Sequence, residues 1–372
     1  MMKHLSALLF AFAVVGLQPF ALHAQKRQEQ PLALKLSGAV AYTHDPSIIK
    51  DGKTYYVFAT GVAVFSSGQA SSPSAPSGAA PSASMPQLPI RCSLDLHVWR
   101  HCGAVFPDGI PPWIRQASPE TKELWAPDIS FYSGLYHLYY AYSVFGKNTS
   151  GIALATNRTL DQGSPLYKWV DRGLVLRSTV ADNFNAIDPS LVLDAKDEPW
   201  LTFGSFWSGI KMRRLDAETG LLSRAYTRTY SVAARAKPAD AAPAKVGLPP
   251  NWEAIEAPFV LRHDAYYYLF VSWDLCCRGT HSTYRTMVGR SASVHGPYVA
   301  KDGKPMMQGG GTPLLTGNQR WVGPGGESLR HLKTGDIIVF HAYDAKTGRP
   351  AMQISTVTWN NGWPSAALAT AQ

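Results

Sequence analysis

Aromatic and β-branched residues gather in short runs along this chain: YYVFAT at 55–60, LYHLYYAYS at 135–143, WLTFGSF at 200–206, YYYLFVSW at 266–273 and IIVFHAY at 337–343. Gly, Asp and Lys turn residues bound them. Short runs of this composition between turns read as strands. No stretch keeps a helical period over three turns. The pattern predicts an all-β protein.

The runs belong to a repeat. An acidic-proline element comes first, and an aromatic strand follows about a dozen residues later. The copies are HDPSIIKDGKTYYVFATG from His44, WAPDISFYSGLYHLYYAYS from Trp125, AIDPSLVLDAKDEPWLTFGSF from Ala186 and IEAPFVLRHDAYYYLFVSW from Ile255. A looser fifth, VGPGGESLRHLKTGDIIVFHAY, starts at Val322. Carboxylates at what reads as one place in the unit, Asp45, Asp128, Asp188 and Glu256, recur 60 to 83 residues apart. That length holds a four-stranded sheet with its loops. Five such sheets around an axis make a five-bladed β-propeller. A β-sandwich is the competing architecture, and it gives no reason for the recurring acid.

The first residues stand apart. A weakly basic start, an apolar run (LSALLFAFAVVGLQPFAL) and small residues at 21–24 read as a signal peptide over 1–24. A polar leader is expected over 25–35 and the propeller over 36–372. Two Ser/Ala/Pro-rich insertions, 66–88 and 233–250, read as loops. The signal implies a secreted or periplasmic protein, free of the membrane after cleavage; a monomer is expected. The net charge is +9, but the basic residues are scattered. A nucleic-acid surface needs a basic stripe, so nucleic acid is not an expected partner. An acidic polysaccharide such as pectin fits the charge, as does mere solubility.

Export permits disulfides. Of the four cysteines, Cys92 and Cys102 flank a hairpin-sized segment and are equally readable as paired or free. Cys276 and Cys277 are adjacent; a bond between neighbours is strained, so they read as free thiols or packing residues.

In a propeller the inner strands line the axis, and acids at their starts converge at one mouth. A proline after an acid restricts it towards extended geometry and aims it rigidly. Two carboxyls flanking a bond are what glycoside hydrolysis needs: one protonates the leaving oxygen, the other activates water or attacks the sugar. Like charges in a low-dielectric mouth keep one of them protonated. Trp125, Phe145, Phe206 and Trp207 offer faces for sugar rings. Asn148, Thr149, Ser150, Asn185 and Ser205 offer hydrogen bonds, and His44 either orients the site or packs.

The segments HDPSII, LWAPDI, FGKNTSGIALATN, NAIDPSLV, GSFWSGIK, IEAPFVL, VSWDLCCRGTHSTYRTMVGRS and QGGGTPLL together resemble glycoside hydrolase family 43, and most closely its arabinanases, which cut α-1,5-linked arabinan. The resemblance implies a five-bladed propeller, an inverting mechanism and an arabinan or pectic side-chain substrate, with endo action expected. It gives Asp45 the role of general base, Glu256 that of general acid, and Asp188 that of raising the acid's pKa and orienting it. It places Asn185, Ala186, Ile187, Gly146, Ser205, Phe206 and Trp207 at the sugar subsites, and makes Asp128 structural or substrate-orienting. No cofactor is required for the chemistry. A structural calcium is implied near the axis, but the histidine such enzymes often carry there is replaced by Gly326, leaving Glu327 or His341 as ligand candidates, or an ion held through water. Alternatives are exo action, a family arabinofuranosidase or β-xylosidase, and an inactive carbohydrate-binding propeller.

Overall fold

The computed structural model describes residues 29–62, 82–241 and 249–370. The signal segment, most of the first insertion and the centre of the second lie outside them. The rest is a five-bladed β-propeller. From the axis outward, blade one runs Ser47–Asp51, Thr54–Phe58, Gln87–Ser93 and Val98–Phe106, with Ser37–Gly38 added in parallel at its edge. Blade two runs Leu124–Tyr132, Leu135–Tyr142, Gly151–Asn157 and Val170–Arg177, and blade three Ser190–Leu193, Pro199–Phe203, Ile210–Arg214 and Tyr230–Ala233. Blade four runs Ile255–His263, Tyr266–Trp273, Arg285–Ser291 and Thr312–Leu315, and blade five Trp321–Leu332, Gly335–Asp344, Pro350–Asn360 and Trp363–Ser365. A six-residue helix, Pro112–Ala117, joins blades one and two.

Each aromatic run is the second strand of its blade. Neighbouring blades cover that strand on both faces, so Leu135–Tyr142 is buried at every position but its first. That is why these strands read as near-continuous apolar runs, without an alternation of polar and apolar residues.

Five hydrophobic clusters fill the five gaps between blades. Ile49 and Phe58 meet Ile129 and Leu138; Tyr139 and Leu154 meet Leu201 and Phe203; Trp200 and Met212 meet Val260 and Leu269. Tyr268 and Phe270 meet Ile338 and Phe340, and Val57 and Trp99 meet Val339 and Ile354. The last pairing joins blade five to blade one and closes the ring.

The chain enters the fold earlier than the expected boundary at residue 36. Leu34 donates its amide to the Ile354 carbonyl, and Ala33 and Ala41 bridge to Ser355 and Ala351. Leu34, Leu36 and Val40 pack into the cluster between blades five and one. The buried Arg91 side chain donates to the carbonyls of Ala39, Ala41 and Tyr42, fastening this strap to blade one. The insertions are also shorter than expected. Gln87 and Leu88 already belong to a buried strand, and Ala233 ends blade three.

Candidate active site

Five inner strands start around the axis, and the same backbone feature recurs at each start. Asp45, Ala126, Asp188, Ala257 and Gly326 have φ values of 46°, 42°, 55°, 49° and 59°. These five positions line a small axial cavity of about 30 Å³. Extended geometry is the expectation before proline; the structure places the pre-proline residues in the left-handed region instead. The reason is visible in the pairing. In blade four Glu256 pairs with Ser272 and Phe259 with Phe270, a bulge of one extra residue, and blades two and five shift register at the same point. A left-handed residue is how a bulge turns a strand. Strain of this kind is usually held at functional sites.

This register corrects the expected equivalence of the four acids. Asp45 and Asp188 are equivalent. Glu256 stands one residue before the left-handed position and Asp128 two residues after it. Asp45, Asp188 and Glu256 all line one large cleft, with about 580 Å³ of space. Asp128 is buried beneath it, accepting the Leu191 amide at 2.8 Å and the Ser47 hydroxyl at 3.3 Å, and so clasps blades one, two and three.

Each cleft acid is held by its own partners. Asp45 accepts the Thr60 hydroxyl at 2.6 Å, and Thr60 in turn accepts the Ala126 amide from blade two. The Asp45 amide donates to His341 Nδ1 at 3.2 Å, which fixes the tautomer of this buried imidazole. Burial keeps His341 neutral, well below its usual pKa. Glu256 accepts the Ser205 hydroxyl at 2.5 Å on one oxygen and the Tyr284 hydroxyl on the other. Asp188 accepts the amide of Ala257, the residue after Glu256, at 3.0 Å. Asp188 and Glu256 are therefore neighbours on adjacent blades, whereas blade five stands between Glu256 and Asp45.

Between Glu256 and Asp45 blade five presents two glycines. A Cβ on Gly326 would meet Asp45 Oδ1 at 2.6 Å and His341 Nδ1 at 2.8 Å, and one on Gly325 would meet the Tyr284 ring at 2.5 Å. No side chain fits there.

Burial raises all three carboxyls. The Glu256 and Asp45 charges add to it for Asp188, which lies well above the carboxylate range. Burial of Glu256 is opposed by the Ser205 and Tyr284 hydroxyls and reinforced by the Asp45 charge. Burial of Asp45 is opposed by His44 and by the Thr60 hydroxyl. The cluster thus retains a proton where isolated carboxylates would hold none.

The predicted binding residues are mostly in place. Trp125, Phe145, Gly146, Asn185, Ile187, Ser205, Phe206 and Trp207 line the cleft. Phe145 is 80% exposed. Asn185 Oδ1 is buried without a protein partner. Phe206 and Trp207 are both left-handed, and the Phe206 amide donates to the Ile255 carbonyl, which sets the turn beside Glu256. Ala186 does not reach the cleft; it is buried in the cluster between blades two and three. Asn148 is also unavailable, because its amide serves the carbonyls of Thr179, Asp182 and Phe184. His44 packs against the rings of His341 and Tyr343 at the cleft edge.

Both cysteine pairs are disulfides, Cys92–Cys102 and Cys276–Cys277. The second corrects the expectation of free thiols. Cys277 is left-handed (φ 66°) and its amide is anchored on the Tyr343 hydroxyl, so the turn brings neighbouring sulfurs together. This pair lines the cleft. Sequence reasoning also missed Thr60, Glu123, Arg278 and Tyr284 as cleft residues. Glu123 lies two residues before Trp125, a strand-period spacing that would have flagged it.

The axial residues do not assemble a calcium cage. A hard cation takes about six to eight oxygens. Gly326 offers no side chain, and His341 Nδ1 is already taken by the Asp45 amide. Glu327 is buried with one oxygen on Ser272 and Thr286, which leaves a single carboxylate oxygen unpartnered.

Carboxylates from three blades at one sugar-sized cleft on a propeller define a glycoside hydrolase. The comparisons agree: the family model described as glycosyl hydrolases family 43 matches residues 40–364, and the chain belongs to that family. It is 40% identical over 323 residues to an extracellular endo-α-(1→5)-L-arabinanase of Bacillus subtilis (strain 168), covering 87% of each chain. It is 38% identical to an extracellular exo-α-(1→5)-L-arabinofuranosidase of Cellvibrio japonicus (strain Ueda107), covering 86% of this chain and 85% of that one. The structure of a Cellvibrio cellulosa α-L-arabinanase complexed with arabinohexaose superposes with a TM-score of 0.76 at 37% identity, covering 88% of this chain and 96% of that one.

Proposed function

We propose that this enzyme is exported and hydrolyses α-1,5-L-arabinofuranosidic bonds within arabinan chains, with inversion. The observation that carries the chemistry is that Asp45 of blade one and the adjoining pair Asp188 and Glu256 of blades three and four line one cleft, with Gly325 and Gly326 of blade five adding no side chain there. An inverting enzyme needs room for a water between base and acid. Asp45 takes a proton from that water as its oxygen bonds to the anomeric carbon. Glu256 gives its proton to the glycosidic oxygen as the old bond breaks. Asp188, held on the amide next to Glu256, keeps the acid in place, and the coupling of the two buried carboxyls keeps a proton in the pair. Arabinan as substrate and export follow the relatives' names. So does endo action, for which the exo-acting relative supplies the competing reading.

Linear arabinan tests this. The expected result is release of reducing ends as a ladder of oligomers, falling by roughly 10²–10⁴-fold in Glu256→Gln with the circular dichroism spectrum unchanged. A single short product would replace the endo reading with an exo one. Near-normal activity of Glu256→Gln would reject its role as acid, and binding of arabinan without cleavage would reject the enzyme reading of this site.

A further inference from the structure

We propose that His263, His331 and Asp336 form a binding site for a borderline divalent transition ion, Zn²⁺ being the best fit, on the face of the ring opposite the cleft. His263 ends the inner strand of blade four, whose start carries Glu256; seven residues of strand put them on the order of 20 Å apart. His331 lies near the end of the inner strand of blade five and pairs in register with Asp336 across the hairpin. The three side chains therefore meet at one blade interface. Their donor atoms all lie within 4.8 Å of one another.

The hydrogen bonds around them resemble the outer shell of a metal site. His331 Nε2 lies 2.8 Å from the Arg262 carbonyl, which only accepts, so this nitrogen carries the hydrogen and Nδ1 faces Asp336 Oδ1 at 2.6 Å. Metal-bound histidines usually donate their second nitrogen to a carbonyl or carboxylate in this way. His263 Nδ1 lies 3.4 Å from Asp336 Oδ2, and its ring stacks on Trp359 at 3.7 Å. The Trp359 indole donates to Asp336 Oδ2 at 2.8 Å, orienting the carboxylate. The other charged groups nearby are Asp264, 3.5 Å from His263 Nε2, and Arg330, beside His331 in the chain.

A carboxylate 2.6 Å from His331 Nδ1 requires a positive partner between them, and a proton fills that role in the metal-free protein. A divalent ion displaces it to solvent. Donors bound at about 2.0–2.2 Å stand roughly 3–3.5 Å apart around a tetrahedral ion, so the His263–Asp336 spacing already fits and the His331–Asp336 contact opens slightly. Two imidazoles and one carboxylate suit zinc, copper or nickel and not calcium or magnesium. Three protein ligands leave water in the fourth position. Bound there, the ion ties blade four to blade five.

The test uses the full chain without a histidine tag, freed of metal by a chelator and titrated with ZnCl₂ by calorimetry. Expected are one bound Zn²⁺ per chain, affinity that rises with pH as the proton is lost more easily, and loss of at least about tenfold in affinity in His331→Ala and in His263→Ala. Zn²⁺ should raise the melting temperature of the wild type and not of either variant, with circular dichroism confirming that both fold. Absence of one-to-one binding, binding that neither substitution weakens, or equal affinity for Ca²⁺ would overturn the site.

Discussion

Asp45 shows how one residue is set for its task. Its backbone is left-handed, its amide is spent on His341, and its carboxylate is held by Thr60. The Thr60 hydroxyl favours the anion and works against burial, which disfavours it. In the proposed roles Asp45, the base, must be deprotonated and Glu256, the acid, must be protonated, so the proposal assigns the acidic limb of the pH–rate profile to Asp45 and the alkaline limb to Glu256. Thr60→Val removes a bond to the charged form only. The acidic limb of kcat/KM should therefore move to higher pH while the alkaline limb stays nearly fixed. A shift to lower pH, or one confined to the alkaline limb, would assign the base elsewhere.

The bulged start of the inner strand is the element that makes the site. It sets whether an acid enters the cleft, as Glu256 does, or is buried below, as Asp128 is, from two sequences that look alike, IEAP and WAPD. Recurrence of proline next to an acid announced the blades and the mouth. The three cleft acids were legible because they stand one or two residues before prolines at blade starts. Register was not legible, because a bulge inserts one residue and leaves no mark in composition. The vicinal disulfide was misread for a related reason: whether neighbouring sulfurs can meet depends on local backbone conformation, here a left-handed Cys277, which composition does not reveal. Gly326 is the bulge residue with the least freedom to change. Its φ is left-handed, and a Cβ would strike both Asp45 and His341. Gly326→Ala should cut kcat on arabinan at least about tenfold, with a modest loss of melting temperature, as the base is pushed off its position. Wild-type kcat in that variant would show that the strip between base and acid tolerates filling.

At the scale of the molecule, function depends on a closed ring. The acids belong to blades one, three and four, and only packing around the whole circle fixes the distance from Asp45 to Glu256. The strap at residues 32–41, the buried Arg91 and the cluster of Val57, Trp99, Val339 and Ile354 secure the closing interface. Such long-range closure cannot be read from any one strand, and it explains why residues 32–35, expected in the leader, pack against blade five. The proposed inverting mechanism needs room for a water between Asp45 and Glu256, and that spacing dictates stereochemistry. The most direct measurement is proton NMR of the anomeric signal during the first minutes of arabinan hydrolysis, before mutarotation. Attack by water held on Asp45 predicts that the β-anomer forms first from the α-linked chain. Initial appearance of the α-anomer would mean a covalent intermediate, and would contradict Asp45 as the base that activates water and Glu256 as the acid opposite it.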